Sequence, residues 1–552
     1  MSRDSDEEQS AAPPPAAAEA TLSAAQALAQ ILAYHQRSKH RPDRYAAGPE
    51  TLDWSAQPNP FREYDGAPRI LLPLNADRLS ASFAALHIPG AVAVQPLTLD
   101  SVATLLELSF GLAAWKEYGP DRWAVRCNPS SGNLHPTEAY VICRHIPAIE
   151  DGVYHYLSRD HLLEQRCRAG DTPGAPARLL VGLSSIAWRE AWKYGERAFR
   201  YCQLDIGHAI GALRYAAATL GWRIRIIDRC SHRQLAQWLG LDRDVDFSGA
   251  EREEPEALLE IDLAPHANQV PPFRFWEPEL TNWQGCANLL DAHPMYRWPV
   301  IDEVTLASRK PFTQESLPCA SSATNRVPAC EIPAAVLIRQ RRSAQRFDAG
   351  FTQDISSFYQ MLDALQISSN IPWDVWNEPA RVHPVLFVHR LTGLRPGIYA
   401  LPRSIKAQAQ MQAAMRPDFL WRKPADCPHH IALFLLAEAN LGQALRAISC
   451  HQAIAADSSF TLALLAEFDA PLQDAPWRYR QLYWEAGLIG QVLYLQAEAA
   501  GLRGTGIGCY FDDVCHELLG LQDTAFQSLY HFTTGYPVTD ARIASLPPYP
   551  RT

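Results

Sequence analysis

Four short stretches of this 552-residue sequence carry side chains that could do chemistry. The first is Pro129-Ser130-Ser131-Gly132-Asn133. Its proline fixes φ, its glycine permits close backbone approach, and two hydroxyls and an amide offer polar atoms to a ligand edge. The second, "IRQRRSAQRFD" from Ile338 to Asp348, gathers Arg341, Arg342 and Arg346 with Ser343 and Gln345, and guanidinium forks grip phosphate oxygens bidentately. The third, "GLRGTGIGCY" from Gly501 to Tyr510, places Gly504, Gly506 and Gly508 around Ile507, so that backbone N–H groups can approach a planar ligand or an anion. Its G-x-G-x-G spacing is neither a dinucleotide fingerprint nor a P-loop. The fourth, "WKYGERAFRY" from Trp192 to Tyr201, sets Lys193 beside Tyr194, two groups whose pKa values can be lowered mutually in an enclosed site to supply a general base. Each stretch taken singly also has a plainer reading, as a Ser/Gly/Pro turn, a solvated basic helix start, or an exposed lysine beside a core tyrosine.

The elements that must position these residues are written twice. Leu204–Leu241 slides by 280 positions onto Trp484–Leu521, aligning Gly207 with Gly487, Ala217 with Ala497, Gly221 with Gly501, Arg223 with Arg503 and Gly240 with Gly520 without a gap. Each copy reads as a helix closed by glycine (Gly221, Gly501), a short strand, and a second helix ending at glycine. Ser231 in one copy and Asp512-Asp513 in the other are the expected caps of that second helix. Upstream, "NPSSGNLHP" (Asn128–Pro136) returns as "NEPARVHP" (Asn377–Pro384) at a smaller offset, which requires roughly 32 to 35 extra residues between Leu401 and Pro476. The expected architecture is α+β, two halves joined as an intramolecular pseudo-dimer, with helices carrying the core and short strands between them. Residues 1–22 read as an acidic Ala/Pro tail, 23–265 as the N-terminal half and 334–552 as the C-terminal half. Between them, 266–333 reads as an ordered connecting arm, too aromatic (Phe273, Phe275, Trp276, Trp283, Tyr296, Trp298) for a disordered linker.

Composition narrows the class of protein. The formal net charge is -10 and no Lys/Arg run follows the pattern of a phosphate-tracking surface, so nucleic acid is not an expected partner. No apolar run reaches the ~18 residues of a membrane span, and the N-terminus lacks the basic and apolar regions of a secretory signal, so no membrane association and a cytoplasmic location are expected. Twelve scattered cysteines without a C-x-x-C pair read as buried thiols. Cys427 with His429-His430 is the nearest approach to metal-ligand spacing and reads as a loop coincidence, so no metal is expected.

Taken together, the four stretches resemble the nitroreductase-like flavoproteins and, within them, SagB/ThcOx-type azoline dehydrogenases in a tandem-duplicated form. "RCNPSSGNLHPTEAYVI" is similar to that family's P-S-x-G loop, "RRSAQRF" to its phosphate loop, "WKYGERAFRY" to its Lys-Tyr motif, and "LYHFTTGYPVTDAR" (Leu529–Arg542) to its closing segment. The resemblance runs from about Ala33 to the C-terminal region and implies FMN at the interface of two units. It assigns the phosphate and ring to Arg341, Arg342, Ser343, Gln345, Gly506, Ile507, Gly508 and Arg542, and the cover of the ring to Pro129, Ser130, Ser131, Gly132 and Asn133. It assigns proton handling to Lys193 and Tyr194. The first half has "LHIPGAVAVQP" (Leu86–Pro96) in place of an Arg-Arg-Ser loop, and the second has Glu378-Pro379-Ala380-Arg381 in place of the serine loop. One complete site can be assembled and its mirror image cannot, so one FMN per chain is expected, with no need of a homodimer. The implied activity is hydride transfer from a C–H next to a heteroatom in an azoline-like small molecule or peptide. An NAD(P)H-dependent nitro- or quinone reductase and a non-catalytic scaffold within a modifying complex are the alternatives. Roughly 30 residues precede Tyr34, so no winged-helix leader-peptide module is expected ahead of the fold.

Overall fold

The structure, a computed structural model, describes residues 22–170, 174, 176–263, 280–314 and 327–550. Phe273, Phe275, Trp276, Cys319 and the tail ahead of residue 22 lie outside the described residues.

Two 22-residue helices, Ala198–Thr219 and Arg478–Ala499, pack against each other at the centre. The first is buried along its whole length. They touch where Gly207 meets Gly487. A Cβ on Gly207 would lie 2.8 Å from the Gly487 Cα, and the reverse distance is 2.9 Å, so neither position admits a side chain at this separation. Both helices end as expected, with Gly221 and Gly501 in left-handed conformation at φ 71° and 70°.

Each half carries an antiparallel sheet. In the first, neighbouring strands run Gly152–Leu157, Thr137–Arg144, Arg178–Ser185, Glu254–Asp262 and Arg223–Ile226. In the second the same path is Gly397–Ala400, Val382–Val388, Phe460–Glu467, Phe526–Gly535 and Arg503–Ile507. The repeat read in the sequence is therefore a repeat of topology. The strands are longer than expected. Thr137–Arg144 and Phe526–Gly535 are buried at every position, covered on both faces, so their sequences lack the alternation that marks a half-exposed strand.

The halves exchange elements. The helix Ala24–Arg37, with a Ser23/Gln26 capping box, begins the first half yet packs on the second, where His35 meets the Tyr479 hydroxyl at 3.1 Å and Gln527 at 3.2 Å. The chain end returns to the first half, Ala544–Leu546 pairing with Leu112–Tyr118, and the buried Tyr549 hydroxyl donates to the Ser158 carbonyl at 2.8 Å while accepting from the Leu112 N–H. The connecting stretch holds a second copy of this lead-in. Helix Pro299–Ala307 is followed by Ser308, whose hydroxyl accepts from Arg480 at 2.9 Å, just as Ser38 accepts from Arg200 at 2.9 Å. The additional residues of the second half form helices Ile405–Ala414, Gly442–Ile448 and Ala453–Asp457 before strand Phe460–Glu467.

The two second helices end at Gly240 and Gly520 in left-handed conformation. Ser231 caps the first of them, in a box with Gln234. Asp512 does not cap the other. Phe511 holds that position, and Asp512 turns inward to ion-pair with Arg197 at 3.0 Å and Arg200 at 2.7 Å. Three of the described cysteines, Cys286, Cys450 and Cys509, are not buried.

Candidate active site

A cavity of about 520 Å³ opens where the two halves and the returning tail meet. Of the residues singled out in the sequence, Pro129, Ser130, Ser131, Gly132, Asn133, Tyr194, Arg341, Arg342, Ser343, Gln345, Gly506, Ile507 and Gly508 line it. Lys193 and Arg542 do not. Arg542 is taken up by Asp540 at 2.7 Å and lies over the Tyr118 ring, with its side chain 71% exposed.

The serine loop forms a one-turn 3₁₀ helix, Ser131–Asn133, with Gly132 at φ 60°. It is anchored from below by Asp205 of the first central helix, which accepts from the Ser131 N–H at 3.1 Å and the Ser131 hydroxyl at 3.0 Å. Burial pushes the Asp205 carboxyl up to about 7, against the lowering pull of its Ser130 and Ser131 hydrogen bonds. Asp205 lines the cavity and was not foreseen. Its only sequence signal is an acid in the middle of "YCQLDIGHAIGAL", a helix otherwise dominated by small and apolar residues. On the other side of the loop, a Cβ at Gly132 would come within 2.5 Å of the Tyr194 hydroxyl, so glycine lets the serine loop and the Lys-Tyr element close on each other.

The arginine loop supplies charge without a counter-charge. Arg341 is buried and, among the described residues, its side chain donates to the Cys127 and Arg126 carbonyls, at 3.3 and 3.2 Å. Arg342 donates to the Arg339 carbonyl at 2.7 Å and the Ala113 carbonyl at 3.2 Å. Among the described residues neither has a carboxylate within ion-pairing distance. Lys116, Arg126 and Arg503 add to the same wall. Burial, then repulsion from Arg341, pulls the Arg342 guanidinium down to about 10, and burial with the Arg342 and Arg503 charges lowers Lys116. Burial likewise raises the Glu498 carboxyl behind them to about 7, so this acid is a poor neutraliser. Such a cluster is built for a bound anion.

Next to it, the Ser343 hydroxyl meets the Tyr494 hydroxyl at 2.7 Å, and Tyr494 accepts from the Gly506 N–H at 3.2 Å. Thr505 donates to the Ala344 carbonyl at 2.6 Å, locking the arginine loop to the glycine strand. A Cβ on Gly506 would run into the Tyr530 hydroxyl, and one on Gly508 into the Tyr201 ring, so the strand presents bare backbone to the cavity. Asn128 and His135 also line the wall, and each keeps a buried polar atom, Oδ1 and Nδ1, without a protein partner. An anion seat, a flat backbone strip and unspent donors and acceptors fit a planar heteroaromatic ring carrying an anionic tail.

The Lys-Tyr pair differs from expectation. The Lys193 amino group is lowered by burial, offset by Glu190, but the Tyr194 hydroxyl is driven up, by burial first and by the Glu190 carboxyl next. The expected mutual lowering of both groups is not found, because desolvation dominates the tyrosine and the neighbouring acid adds to it. Glu190 is fully buried with both oxygens unpartnered and its carboxyl is raised well above the usual range by that burial. The Lys193 Nζ lies 5.4 Å from the Tyr194 ring centroid and 5.3 Å from that of Trp54.

The mirror position in the second copy is filled. Glu485, which aligns with Asp205, accepts from the Arg381 N–H at 3.0 Å and forms a buried pair with Arg403, whose guanidinium lies 4.2 Å from the Trp373 ring centroid. Arg214, which aligns with Tyr494, grips Asp374 through two bonds of 2.8 Å. Trp222 is buried beside them and donates to the Gln95 carbonyl at 2.8 Å. Lys310 and Thr313 of the second lead-in close on the Asp228 carbonyl of the first copy, whereas its counterpart in the second copy, Gly508, faces the open cavity.

No family model matches the chain. A candidate nitroreductase of Methanocaldococcus jannaschii is 26% identical over 137 residues, 23% of this chain and 66% of that relative, a little under two thirds of its length. A crystal structure of a candidate nitroreductase from Anabaena variabilis superposes over 92% of this chain and 99% of its own with a TM-score of 0.65 at 20% identity. The likeness thus spans both halves together, and the chain has a nitroreductase-like α+β fold, duplicated, with an open cavity at the interface of its halves.

Proposed function

We propose that this chain is an FMN-dependent oxidoreductase that binds one flavin per chain and acts as a SagB-type dehydrogenase. The reaction is hydride removal from a C–H next to a heteroatom in an azoline-like or peptide-derived substrate. The observation that carries the reading is the cavity wall itself, where Arg341 and Arg342, without a carboxylate partner among the described residues, share one cavity with the Ser131 loop and the bare strand Gly506–Gly508. Arg341 and Arg342 would hold the phosphate, and Ser130, Ser131, Asn133 and the glycine strand the ring. When bound, FMN supplies a two-electron acceptor for the hydride. The protein's part is orientation and proton handling. Tyr194, kept protonated by its surroundings, offers a donor at the Gly132 edge of the cavity. Asp205 is the wall carboxyl whose proton equilibrium falls near neutrality, and Lys193, lowered by burial, is the base behind the Tyr194 ring.

The test is flavin released by heat and counted against protein, followed by turnover of a thiazoline-bearing peptide to the thiazole under air. One FMN per chain and a two-hydrogen loss in the peptide are expected, with the rate falling on the order of 100-fold in Lys193→Ala and Tyr194→Phe. A protein that takes up no FMN on reconstitution would overturn the reading, and two per chain would mean that the mirror position opens. A second reading, an NAD(P)H-dependent nitro- or quinone reductase, is favoured by the names of the two similar proteins. It requires NAD(P)H oxidation that survives both substitutions.

A further inference from the structure

Cys509 follows the glycine strand directly and lines the cavity, half-buried. Cys450 lies in the insertion peculiar to the second half, on a turn where both Cys450 and His451 adopt left-handed backbone, at φ 51° and 63°. Two hydrogen bonds clamp this turn to the end of the strand. The Phe511 N–H donates to the Ile448 carbonyl at 2.8 Å, and the Gln452 side chain donates to the Cys509 carbonyl at 3.1 Å. Between these clamps the Cys450 and Cys509 thiols lie within reach of each other's electrostatic influence. His40 acts on the Cys509 thiol and Tyr45 on the Cys450 thiol, the His40 and Tyr45 rings lying 5.0 Å apart. The Arg197 guanidinium, donating to the adjacent Gly508 carbonyl at 3.0 Å, adds positive charge.

We propose that Cys450 and Cys509 form a redox-active dithiol on the cavity wall that exchanges with low-molecular-weight disulfides. A thiol with a thiol neighbour, an imidazole and a guanidinium around it is placed to react as thiolate, and the neighbouring thiol is placed to resolve the adduct. The Cys509 thiolate attacks one sulfur of R–S–S–R, forming a mixed disulfide and releasing RS⁻, which takes up a proton. Cys450 then loses its proton, through His40 or to solvent, and attacks the Cys509 sulfur. The second RS⁻ leaves and is protonated. The protein dithiol is oxidised by two electrons to the Cys450–Cys509 disulfide, and R–S–S–R is reduced to two RSH. The influence of Cys450, and beyond it that of His40, outweighs burial and holds the Cys509 thiol below its usual range, which favours Cys509 as the attacking sulfur. No step passes through a flavin, so this site stands whether or not the proposed oxidoreductase reading does.

The test uses the full-length chain with oxidised glutathione, followed by alkylation and a non-reducing tryptic map. A cross-linked peptide pair containing Cys450 and Cys509 is expected in wild type, while Cys450→Ser should keep one glutathione on Cys509. Exposed Cys286 serves as a control that retains glutathione. The proposal fails if wild type shows both thiols alkylated, or Cys509 carrying glutathione with no cross-link. Wild type alone decides between these outcomes, so a folding defect in the variant does not obscure them.

Discussion

The open cavity and its filled mirror are made from the same two elements, so the contrast between them separates what a binding site needs from what a core needs. Asp205 and Glu485 occupy matching places on the two central helices, and each receives a backbone N–H from the loop above it. Glu485 also has Arg403, and the place becomes a buried ion pair roofed by Trp373. Asp205 has only serine, and the place stays open with a carboxyl poised near neutrality. Across the interface, Arg214 has Asp374, whereas among the described residues Arg341 and Arg342 donate to carbonyls and meet no carboxylate. A charge satisfied by protein builds a core; one left unsatisfied holds room for a ligand.

Breaking the filled side should have the largest effect. Arg403→Met leaves Glu485 buried without its partner and is expected to cost about 3–5 kcal/mol in urea unfolding, while Arg403→Met/Glu485→Met recovers most of it. A single variant as stable as wild type would show that the mirror position is not held by this pair. The open side should respond to pH instead. Folding raises Asp205 from 3.8 to about 7, so the native state binds this proton more tightly than the unfolded chain. The stability it contributes is complete below about pH 4 and is lost as pH rises through 7, by at most about 4 kcal/mol. Asp205→Asn keeps an acceptor for Ser131 and removes the titration. It is expected to melt above wild type at pH 8 and close to it at pH 4, and a pH-independent difference would remove Asp205 from the neutral range.

Next in size is the anion seat. Arg341→Ala/Arg342→Ala should weaken FMN on the order of 100-fold, read by flavin fluorescence, because each charge-assisted bond contributes about 1.5–3 kcal/mol and the two act together. Unchanged affinity would put the phosphate elsewhere. Gly132→Ala puts a side chain into the tightest part of the open loop. With φ at 60° and the Tyr194 hydroxyl in the way, it should cost on the order of 1–2 kcal/mol and shift the tyrosine, lowering turnover more than flavin affinity.

Much of this was legible in residue order. The repeat from Leu204 onto Trp484 anticipated a matching helix in each half, whereas the contact of Gly207 with Gly487 where the two cross emerged only in the fold. The serine, arginine and glycine stretches converge on one cavity, as their complementary survival in the two copies implied. The second lead-in was hidden because only the spacing of Ser308 from helix Pro299–Ala307 repeats, while the residues around it have changed. The strand lengths were hidden because burial on both faces erases alternation.

The sequence by itself determined the duplication, the element types and which copy kept which loop, since these depend on local spacing and on a chain compared with itself. Only the tertiary structure decided which charges are paired. Whether Asp205 faces a guanidinium or a cavity, whether Tyr194 is pulled down by Lys193 or pushed up by burial and Glu190, and whether Cys450 meets Cys509 across 59 residues all depend on through-space distance and desolvation, which residue order does not contain.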